Sequence, residues 1–440
     1  MSYPEIITLS AENQGFVIEK PELRPEKASI ELRSYSKKDI TEISCPYCGS
    51  SHIHQNRIYT RTIKGVPLNP HYDTFIKADV RSFECQGCRH VFTEEVPFAY
   101  PGTRITENMA AWIKEMLTFS SVSAISRMLH VDWNTVKGIH KELVKSTLRE
   151  RRQRQIRENY RPRYLGVDEF AIHKGHSYAT VVMDLETGEV LWAGKDRTIE
   201  SFGRFFDEIE PELLEQVEAV AMDMNASYNR VFRQRMPGVR IVYDRYHMEA
   251  NYSRDVMGAV RLEAARECRM RSYDEDLSRE EQMMLKAEYS MIKKSRWRLL
   301  RKDLGEMDED GSWTCSDSCL QEILDRHQDI ALCYAMKQEL SSLYSISDPD
   351  EAEKRWKAWF DAASASGIPA LERFARNKRE RLPGLIAYAS FPITTSRVEG
   401  TNNKIKVLKR IAYGFRDDDY FFSLIRYSTI PKSSSFPSKF

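Results

Sequence analysis

The chain has 440 residues, of which 41% are hydrophobic and 30% charged, and its formal net charge is +1. This length predicts about two to four domains, and the near-zero net charge excludes a protein that meets a polyanion through its overall positive field. The sequence has no apolar run of about 18 residues and no basic leader before an apolar stretch, so we expect a soluble cytoplasmic protein without a membrane partner.

Two C-x-x-C pairs are the first motif along the chain. Residues 1–40 are polar with weak periodicity and predict an N-terminal arm, while residues 41–98 contain the pairs Cys45, Cys48, Cys85 and Cys88. Four thiolates form a closed tetrahedral zinc site of the structural kind, although two unrelated reduced pairs are the alternative. Gly49 and Gly87 favour tight turns, and the strand-like "NRIYTRTI" and "DVRSFEC" predict a long hairpin between the pairs. The remaining cysteines lack a matching set of ligands and are interpreted as ordinary reduced thiols: Cys268, Cys315, Cys319 and Cys333.

Residues 103–150 predict three helices. Within "SVSAISRMLHVDWNTVKGIHKELV", Asp132 is a plausible N-cap, and Val136 and Ile139 lie on one apolar stripe. The polar side of the last helix carries Asn134, Lys137, Lys141 and Lys145. This layout is typical of a helix-turn-helix whose recognition helix enters a major groove, although any small helical bundle could resemble it. The basic linker that follows, residues 151–162, is expected either to bind DNA phosphates or to form a solvated charged helix, and its cations include Arg151, Arg152 and Arg154.

Residues 163–249 predict a mixed α/β domain with two buried strands that each lead to an aspartate. Asp168 follows "YLGV" and Asp223 follows "AVAM". A charge there is costly unless it is paired or functional, although a solvent-exposed strand end is the ordinary alternative. The order strand, hairpin, helix, strand, helix, strand predicts a ribonuclease H-like sheet, in which the two strands are neighbours and their aspartates share a hard cation.

Other polar groups near these strands receive different interpretations. Glu169 adjoins Asp168 but should point to the opposite face of the sheet. Asp244 and His247 follow the next strand and are expected beside the site. Asp244 would support the ligands there, with a direct metal role as the alternative. His247 would support the ligands or contact DNA rather than bind Mg²⁺, which prefers oxygen.

Residues 250–385 predict a long helical segment. Within "IKKSRWRLLRK", the cations could hold phosphates and an exposed tryptophan could stack on an unpaired base, through Arg296, Trp297 and Arg298. An amphipathic helix with Trp297 in a local core is the alternative.

Residues 386–430 contain the helix of "TSRVEGTNNKIKVLKR". Val398 and Ile405 lie on its core-facing side, and another face carries Glu399, Asn403, Lys406 and Arg410. One carboxylate among cations suits a metal ion beside a phosphate. Ser396 and Glu399 also match a capping box, which would occupy the carboxylate instead. Residues 431–440 predict a frayed tail.

Three blocks together resemble the ISL3 family of bacterial insertion-sequence transposases. They are "LGVDEFAIHKGHSYATVVMDLETGEVL", "AVAMDMNASY" with "VYDRYHM", and "SRVEGTNNKIKVLKRIAYGFRDDDYF". The resemblance implies that Asp168, Asp223 and Glu399 are the catalytic triad of a DDE transposase. It implies a multidomain α+β protein with an N-terminal zinc-binding domain, a helix-turn-helix, and a ribonuclease H-like α/β core that a helical insertion interrupts at residues 250–385.

The resemblance also implies an activity and its partners. We expect two Mg²⁺ or Mn²⁺ ions per site, structural Zn²⁺, and DNA partners that comprise terminal inverted repeats and target DNA. Cleavage at DNA 3′ ends would precede strand transfer, in a homodimer or larger assembly on the bacterial nucleoid. A ribonuclease H-like nuclease without strand transfer and a zinc and helix-turn-helix transcription regulator are the alternatives.

Overall fold

The computed structural model describes residues 16–19, 21–172, 177–301, 306–307, 313–314, 317–412 and 415–431. They form a mixed α/β protein whose chain divides into two compact units. Residues 1–149 with 410–414 form the first unit, and residues 150–409 with 415–440 form the second. Within the described residues, no helix combines the length and apolar character that crossing a bilayer requires.

A six-stranded sheet opens the first unit. Its order is β1-β3-β5-β4, and β2 pairs with β3 while β6 pairs with β5. The strands are β1 (Phe16–Ile18), β2 (Glu22–Arg24), β3 (Ser29–Ser36), β4 (Ile53–Asn69), β5 (Tyr72–Cys85) and β6 (Val91–Thr93). Strands β4 and β5 form the long antiparallel hairpin that the sequence predicts between the cysteine pairs.

Residues 16–36 correct the prediction of an N-terminal arm over residues 1–40. Strand β3 pairs in parallel with β5, and Phe16 and Leu32 are buried in the core of this sheet. The sequence did not indicate a strand here because β3 also buries two serines, Ser29 and Ser34, which weaken its apolar alternation.

Three helices follow, as predicted: α1 (Glu107–Met116), α2 (Val122–Leu129) and α3 (Trp133–Arg157), of which α3 belongs to the first unit as far as residue 149. The Asp132 carboxylate accepts the backbone N–H groups of Asn134 and Thr135, at 2.9 and 3.2 Å, and caps α3 as expected. Val136 and Ile139 are buried against α1 and α2. Helix α3 ends only at Arg157, so residues 151–157 continue a helix where the sequence predicts a linker.

A five-stranded sheet forms the centre of the second unit, in the order β11-β10-β7-β8-β9. Strands β7, β8 and β9 are antiparallel, whereas β10 runs parallel to both β7 and β11. The elements of this region are β7 (Tyr164–Ala171), β8 (Tyr178–Asp184), β9 (Val190–Lys195), α4 (Ile199–Glu208), α5 (Pro211–Leu214), β10 (Ala219–Met222), α6 (Ala226–Arg235) and β11 (Arg240–Tyr243). Gly188, at φ 79°, turns the predicted hairpin between β8 and β9.

Helices cover both faces of this sheet. Leu165 and Val167 of β7 pack with Phe202 and Phe232 of α4 and α6. Residues of opposite parity, such as Phe170, pack against two later helices, α16 (Ser396–Ile411) and α17 (Asp418–Thr429). Asp168 shares the parity of Gly166 and Phe170, so its side chain belongs to the face that α16 covers.

A largely helical segment separates β11 from α16, as the sequence predicts. It consists of α7 (Arg245–Tyr252), a π-helical turn (Ser253–Met257), α8 (Gly258–Arg271), α9 (Arg279–Lys294), α10 (Arg296–Leu300), β12 (Glu306–Met307), β13 (Trp313–Thr314), α11 (Ser318–Arg326), α12 (Gln328–Leu343), α13 (Pro349–Ser364), α14 (Pro369–Arg379) and α15 (Leu382–Ser390). Tyr252, Trp356 and Trp359 are fully buried in its core. Cys315 lies outside the described residues.

Candidate active site

Two aspartates meet at one edge of the central sheet of the second unit. Strands β7 and β10 pair in parallel with Val167 opposite Met222, and Asp168 and Asp223 each follow by one residue. Neighbouring strands lie about 4.8 Å apart, so the two carboxylates emerge side by side on the same face. The structure therefore brings together the two aspartates that the sequence singled out.

Burial changes the ionisation of Asp168. It raises the pKa of Asp168 to about 6, and the charges of Asp223 and Glu169 act in the same direction. The backbone N–H of Glu169 and the charge of His247 oppose that shift, and the N–H lies 2.8 Å from Asp168 Oδ1. The charged carboxylate is thus destabilised in the metal-free protein, which is the electrostatic condition that a bound cation relieves.

Helix α16 reaches this edge through Asn402. The Asn402 Nδ2 atom donates a 2.8 Å hydrogen bond to Asp168 Oδ2. One turn earlier, Val398 packs over Gly166, where an added Cβ would lie 2.7 Å from a Val398 methyl group. A side chain at position 166 would therefore displace α16. Asn402 was not predicted as a site residue from the sequence. Its i+4 spacing from the buried Val398 nevertheless places it on the sheet-facing side of the helix.

Glu399 lies on α16 one turn before Asn402 and is exposed. The capping-box alternative is absent here, because no hydrogen bond joins Ser396 and Glu399 in the described chain. The Ser396 hydroxyl instead lies 2.9 Å from the Thr394 hydroxyl. In the described part of the chain, the carboxylate oxygens of the predicted triad do not all lie within 4.8 Å of one another. Their direct role in metal binding stays a prediction.

Asp244 and His247 occupy different positions around the aspartates. Asp244 is 1% exposed, caps α7 by accepting the Tyr246 N–H at 2.8 Å, and accepts the Thr395 N–H at 2.7 Å. Asp244 therefore joins the end of β11 to the start of α16. His247 Nδ1 lies 3.9 Å from Asp223 Oδ2.

Glu169 belongs to the opposite face of the sheet. Its carboxylate lies 3.1 Å from a guanidinium nitrogen of Arg197, and its cross-strand neighbour is Thr180. Glu169 therefore follows Asp168 directly in sequence, but its carboxylate faces away from the site.

Cations of the helical segment act on Asp223, and the sequence analysis did not name them. Burial lowers the pKa of Lys378 on α14, and the charges of Asp223 and Asp255 oppose that change. A hydrogen bond with Asp255 raises the pKa of Arg254, and the charge of Asp223 adds to it. Arg254 lies in the π-helical turn, a distortion that is frequent at functional sites. Positive charge therefore flanks the Asp223 side of the site.

The basic residues singled out from the sequence have varied surroundings. In the second unit, Arg151 pairs with Glu189 at 2.7 Å, and Arg152 pairs with Glu210 at 2.6 Å. The structure also gives partners to Arg154, through Glu158 at 3.3 Å, to Arg298, through Asp317 at 2.8 Å, and to Lys406, through Asn403 at 3.1 Å. The linker residues 151–157 thus form a charged helix, although the pair of Arg151 with Glu189 is largely buried rather than solvated. The DNA-binding roles stay predictions.

Trp297 is 67% exposed, and the Arg296 guanidinium lies 5.2 Å from its ring centroid. The alternative in which Trp297 fills a local core is therefore wrong. Arg410 is exposed and is grouped with the first unit.

The cysteine quartet lies at the end of the β4–β5 hairpin. Cys45 Sγ is 3.6 Å from Cys88 Sγ, and Cys48 Sγ is 3.6 Å from Cys85 Sγ. Four thiolates on a tetrahedral Zn²⁺ at about 2.3 Å are separated by roughly 3.8 Å, so the set fits the ion. A hydrogen bond from the Cys88 backbone N–H lowers the pKa of Cys85 to about 6. The pKa of Cys88 is raised, because burial and the neighbouring thiols outweigh a backbone hydrogen bond near His90.

Two similar turns hold these cysteines. Backbone N–H groups donate to the carbonyl of the first cysteine in each pair, Gly49 to Cys45 and Arg89 to Cys85, both at 2.9 Å. Gly49 and Arg89 have positive φ angles of 72° and 62°. Gly87, which the sequence analysis assigned to such a turn, is not among the described residues with positive φ, so the second turn places its left-handed residue at Arg89.

The predicted recognition helix presents a polar face. Asn134 and Lys145 are exposed and Lys137 and Lys141 are half-buried, with the Lys137 ammonium 5.0 Å from the Trp133 ring centroid. His140 is buried, which lowers its pKa to about 4. Its imidazole is thus neutral and belongs to the helical core.

Known protein families match this chain both at the helix-turn-helix and at the region that carries the paired aspartates. Residues 165–425 match the ISL3-type DDE family model described as "Transposase", and residues 94–144 match "Helix-turn-helix domain of transposase family ISL3". The chain is 33% identical over 413 residues to the transposase for insertion sequence element IS1001 of Bordetella parapertussis, covering 94% of this chain and 95% of that protein. It is 25% identical over 336 residues to the transposase for IS1557 of Mycobacterium tuberculosis, covering 72% and 70%.

These matches, together with the paired aspartates and the helix-turn-helix, define a DNA-binding DDE transposase. The chain belongs to the ISL3 family of transposases.

Proposed function

We propose that the chain mobilises an insertion sequence by binding its terminal inverted repeats, cleaving at the DNA 3′ ends and joining those ends to target DNA. The observation that carries this proposal is the adjacency of Asp168 and Asp223, with the helix of Glu399 held against them by the Asn402 hydrogen bond. This arrangement supports one acidic site built from three distant segments of sequence.

The core of this site is proposed to be ribonuclease H-like. Support comes from three antiparallel strands extended by two parallel ones, with helices on both faces. Residues 250–385 would then be an insertion between the second and third acidic residues. It would place Arg254 and Lys378 where their charge offsets that of DNA phosphates near Asp223.

Three carboxylates and one amide side chain of this protein would have separate roles in the cleavage reaction. Asp168, Asp223 and Glu399 would hold Mg²⁺ or Mn²⁺ through carboxylate oxygens, and Asn402 would fix the orientation of Asp168. Bound divalent ions supply activation of water or a 3′-hydroxyl and stabilisation of the leaving oxygen. No side-chain nucleophile is assigned.

DNA recognition is proposed for the first unit. The face of α3 that carries Asn134, Lys137, Lys141 and Lys145 would enter a major groove of the inverted repeat. A structural Zn²⁺ on the cysteine quartet would hold the hairpin ends together. Pairing two ends of an element requires at least two copies of the chain, so we propose a homodimer or larger assembly on DNA.

The test uses purified full-length protein, Mg²⁺, donor DNA with the element's ends and a supercoiled target plasmid. Cleaved 3′ ends and joined products are expected. Cleavage without joining, in conditions where pre-cleaved ends are also supplied, would favour a nuclease. Sequence-specific binding with neither product would favour a transcription regulator.

A further inference from the structure

Three metal-ligating side chains converge in the helical segment, away from the carboxylate site. Cys268, Glu288 and His327 bring their ligand atoms within 4.8 Å of one another. Cys268 lies on α8, Glu288 lies on α9, and His327 lies between α11 and α12. The chain therefore converges on one point from three separate helical elements.

The cluster is largely buried, and one of its atoms makes no well-aligned hydrogen bond. Cys268 is 7% exposed, and the side chains of His327 and Glu288 are 16% and 17% exposed. His327 Nε2 lies 3.0 Å from Glu288 Oε1, yet its orientation leaves it buried without a hydrogen bond. Because buried polar atoms are nearly always satisfied, a nitrogen without a well-aligned hydrogen bond is one that a bound ion would satisfy.

The donor types select the class of ligand. A thiolate, an imidazole and a carboxylate suit Zn²⁺, whereas Mg²⁺ prefers oxygen ligands alone. Two such donors on a tetrahedral ion are separated by roughly 3.3–3.6 Å. The observed nitrogen–oxygen distance of 3.0 Å therefore needs only a small outward movement to admit the ion between them.

We propose that Cys268, Glu288 and His327 form a second zinc site, separate from the cysteine quartet, that joins α8, α9 and the junction of α11 with α12. Three protein ligands leave one coordination position for water. The bound ion would stabilise the packing of these helices within the helical segment. Under this proposal Cys268, which the sequence predicts to be an ordinary reduced thiol, would be a metal ligand whose partners are distant in sequence.

The test counts metal in the full-length protein. Wild type, Cys268→Ser, His327→Gln and the control Cys319→Ser are equilibrated with a small excess of Zn²⁺, dialysed against metal-free buffer and analysed by mass spectrometry. Cys319 lies on α11 outside both metal-ligating groups of the described chain. Cys268→Ser and His327→Gln are each expected to hold one zinc fewer per chain than wild type, while Cys319→Ser matches wild type.

Equal zinc content in wild type and both site variants would overturn the proposal and leave a metal-free histidine–glutamate pair beside a thiol. Because the result is a difference between variants, it does not depend on whether the cysteine quartet is loaded. Circular dichroism checks folding. If either site variant unfolds, Glu288→Gln takes its place, and the same loss of one zinc is expected.

Discussion

At the scale of single residues, the hydrogen bond between Asn402 and Asp168 links a helix to the acidic edge of the sheet. It joins residues that are 234 positions apart in sequence. Asn402 donates to one carboxylate oxygen of Asp168 while the Glu169 N–H donates to the other. Both contacts fix the rotamer of Asp168 and, through α16, the position of Glu399.

The first prediction concerns Asn402. Asn402→Ala removes a hydrogen bond to a charged carboxylate, which contributes about 1.5–3 kcal/mol, so the DNA cleavage rate should fall roughly 10- to 100-fold. The rate is measured at saturating DNA and Mg²⁺. Val407→Ala is the control because Val407 lies on the same helix, is 50% exposed and is not among the residues assigned to metal or DNA binding. Equal rates in Asn402→Ala and wild type would show that this contact does not position the site.

The second prediction concerns pH. Because the folded-state pKa of Asp168 is raised from 3.8 to about 6, the folded protein binds more protons than the unfolded chain between these values. Stability from this group is therefore greatest below about pH 4 and is lost as the pH rises through 6. Asp223 repels the ionised carboxylate, while His247 partly compensates.

Asp168→Asn cannot ionise, so without metal it should be more stable than wild type at pH 7.5, by up to about 3 kcal/mol, and nearly equal near pH 4. Chemical denaturation at both pH values measures this. A stabilisation that is the same at both pH values would contradict the assignment.

At the scale of elements, a buried ion pair within the second unit joins the end of α3, from residue 150 onward, to the β8–β9 hairpin. The Arg151 and Glu189 side chains are only 17% and 6% exposed. Gln155 Nε2 also donates to Glu189 Oε1, at 3.1 Å. The neighbouring pair, Arg152 with Glu210, is more exposed, and Glu210 keeps 50% of its side-chain surface.

The third prediction compares these two pairs. Glu189→Ala leaves a buried guanidinium unpaired and should lower the free energy of unfolding by about 3 kcal/mol. Glu210→Ala should lower it by less than about 1 kcal/mol, because solvent already screens that pair. Urea denaturation measures the free energy of unfolding of both variants. Equal losses of stability would show that the difference in burial does not separate the two ion pairs.

The local signals in the sequence predicted most elements correctly. Strand β7 was recognisable from its apolar run, and α3 from the Asp132 cap. Strand β3 was missed because buried Ser29 and Ser34 look like surface residues.

The site was only partly predictable. Asp168 and Asp223 stood out as charges in apolar strands, whereas Asn402 and Lys378 are polar residues on amphipathic helices. Their proximity to the aspartates depends on long-range packing, which no local pattern encodes.

At the scale of the whole molecule, the helical segment contributes charge as well as bulk. Lys378 and Arg254 come from elements distant in sequence, and both interact with Asp223. A buried core of aromatic residues, including Trp356 and Trp359, holds those elements together. The segment would therefore complete the DNA-facing side of the acidic site.

The fourth prediction tests this contribution. Lys378→Ala should weaken binding of cleavage-site DNA by about 3- to 10-fold and reduce the salt dependence of binding by about one counterion. The control is Lys354→Ala, since Lys354 on α13 keeps 79% of its side-chain surface and lies 4.0 Å from the carboxylate of Glu351. Affinities are measured by fluorescence anisotropy over a range of salt concentrations. An unchanged salt slope for Lys378→Ala would contradict a phosphate contact.

Asp168, Asp223 and Glu399 are proposed to act together in metal-dependent DNA cleavage. The most direct measurement is Mg²⁺-dependent cleavage of inverted-repeat DNA by Asp168→Asn, Asp223→Asn and Glu399→Gln, with Glu169→Gln as the control on the opposite face of the sheet. Each triad variant should bind DNA as wild type does and cleave at least about 1000-fold more slowly, while Glu169→Gln retains cleavage. Cleavage at the wild-type rate by any of the three triad variants would contradict the account.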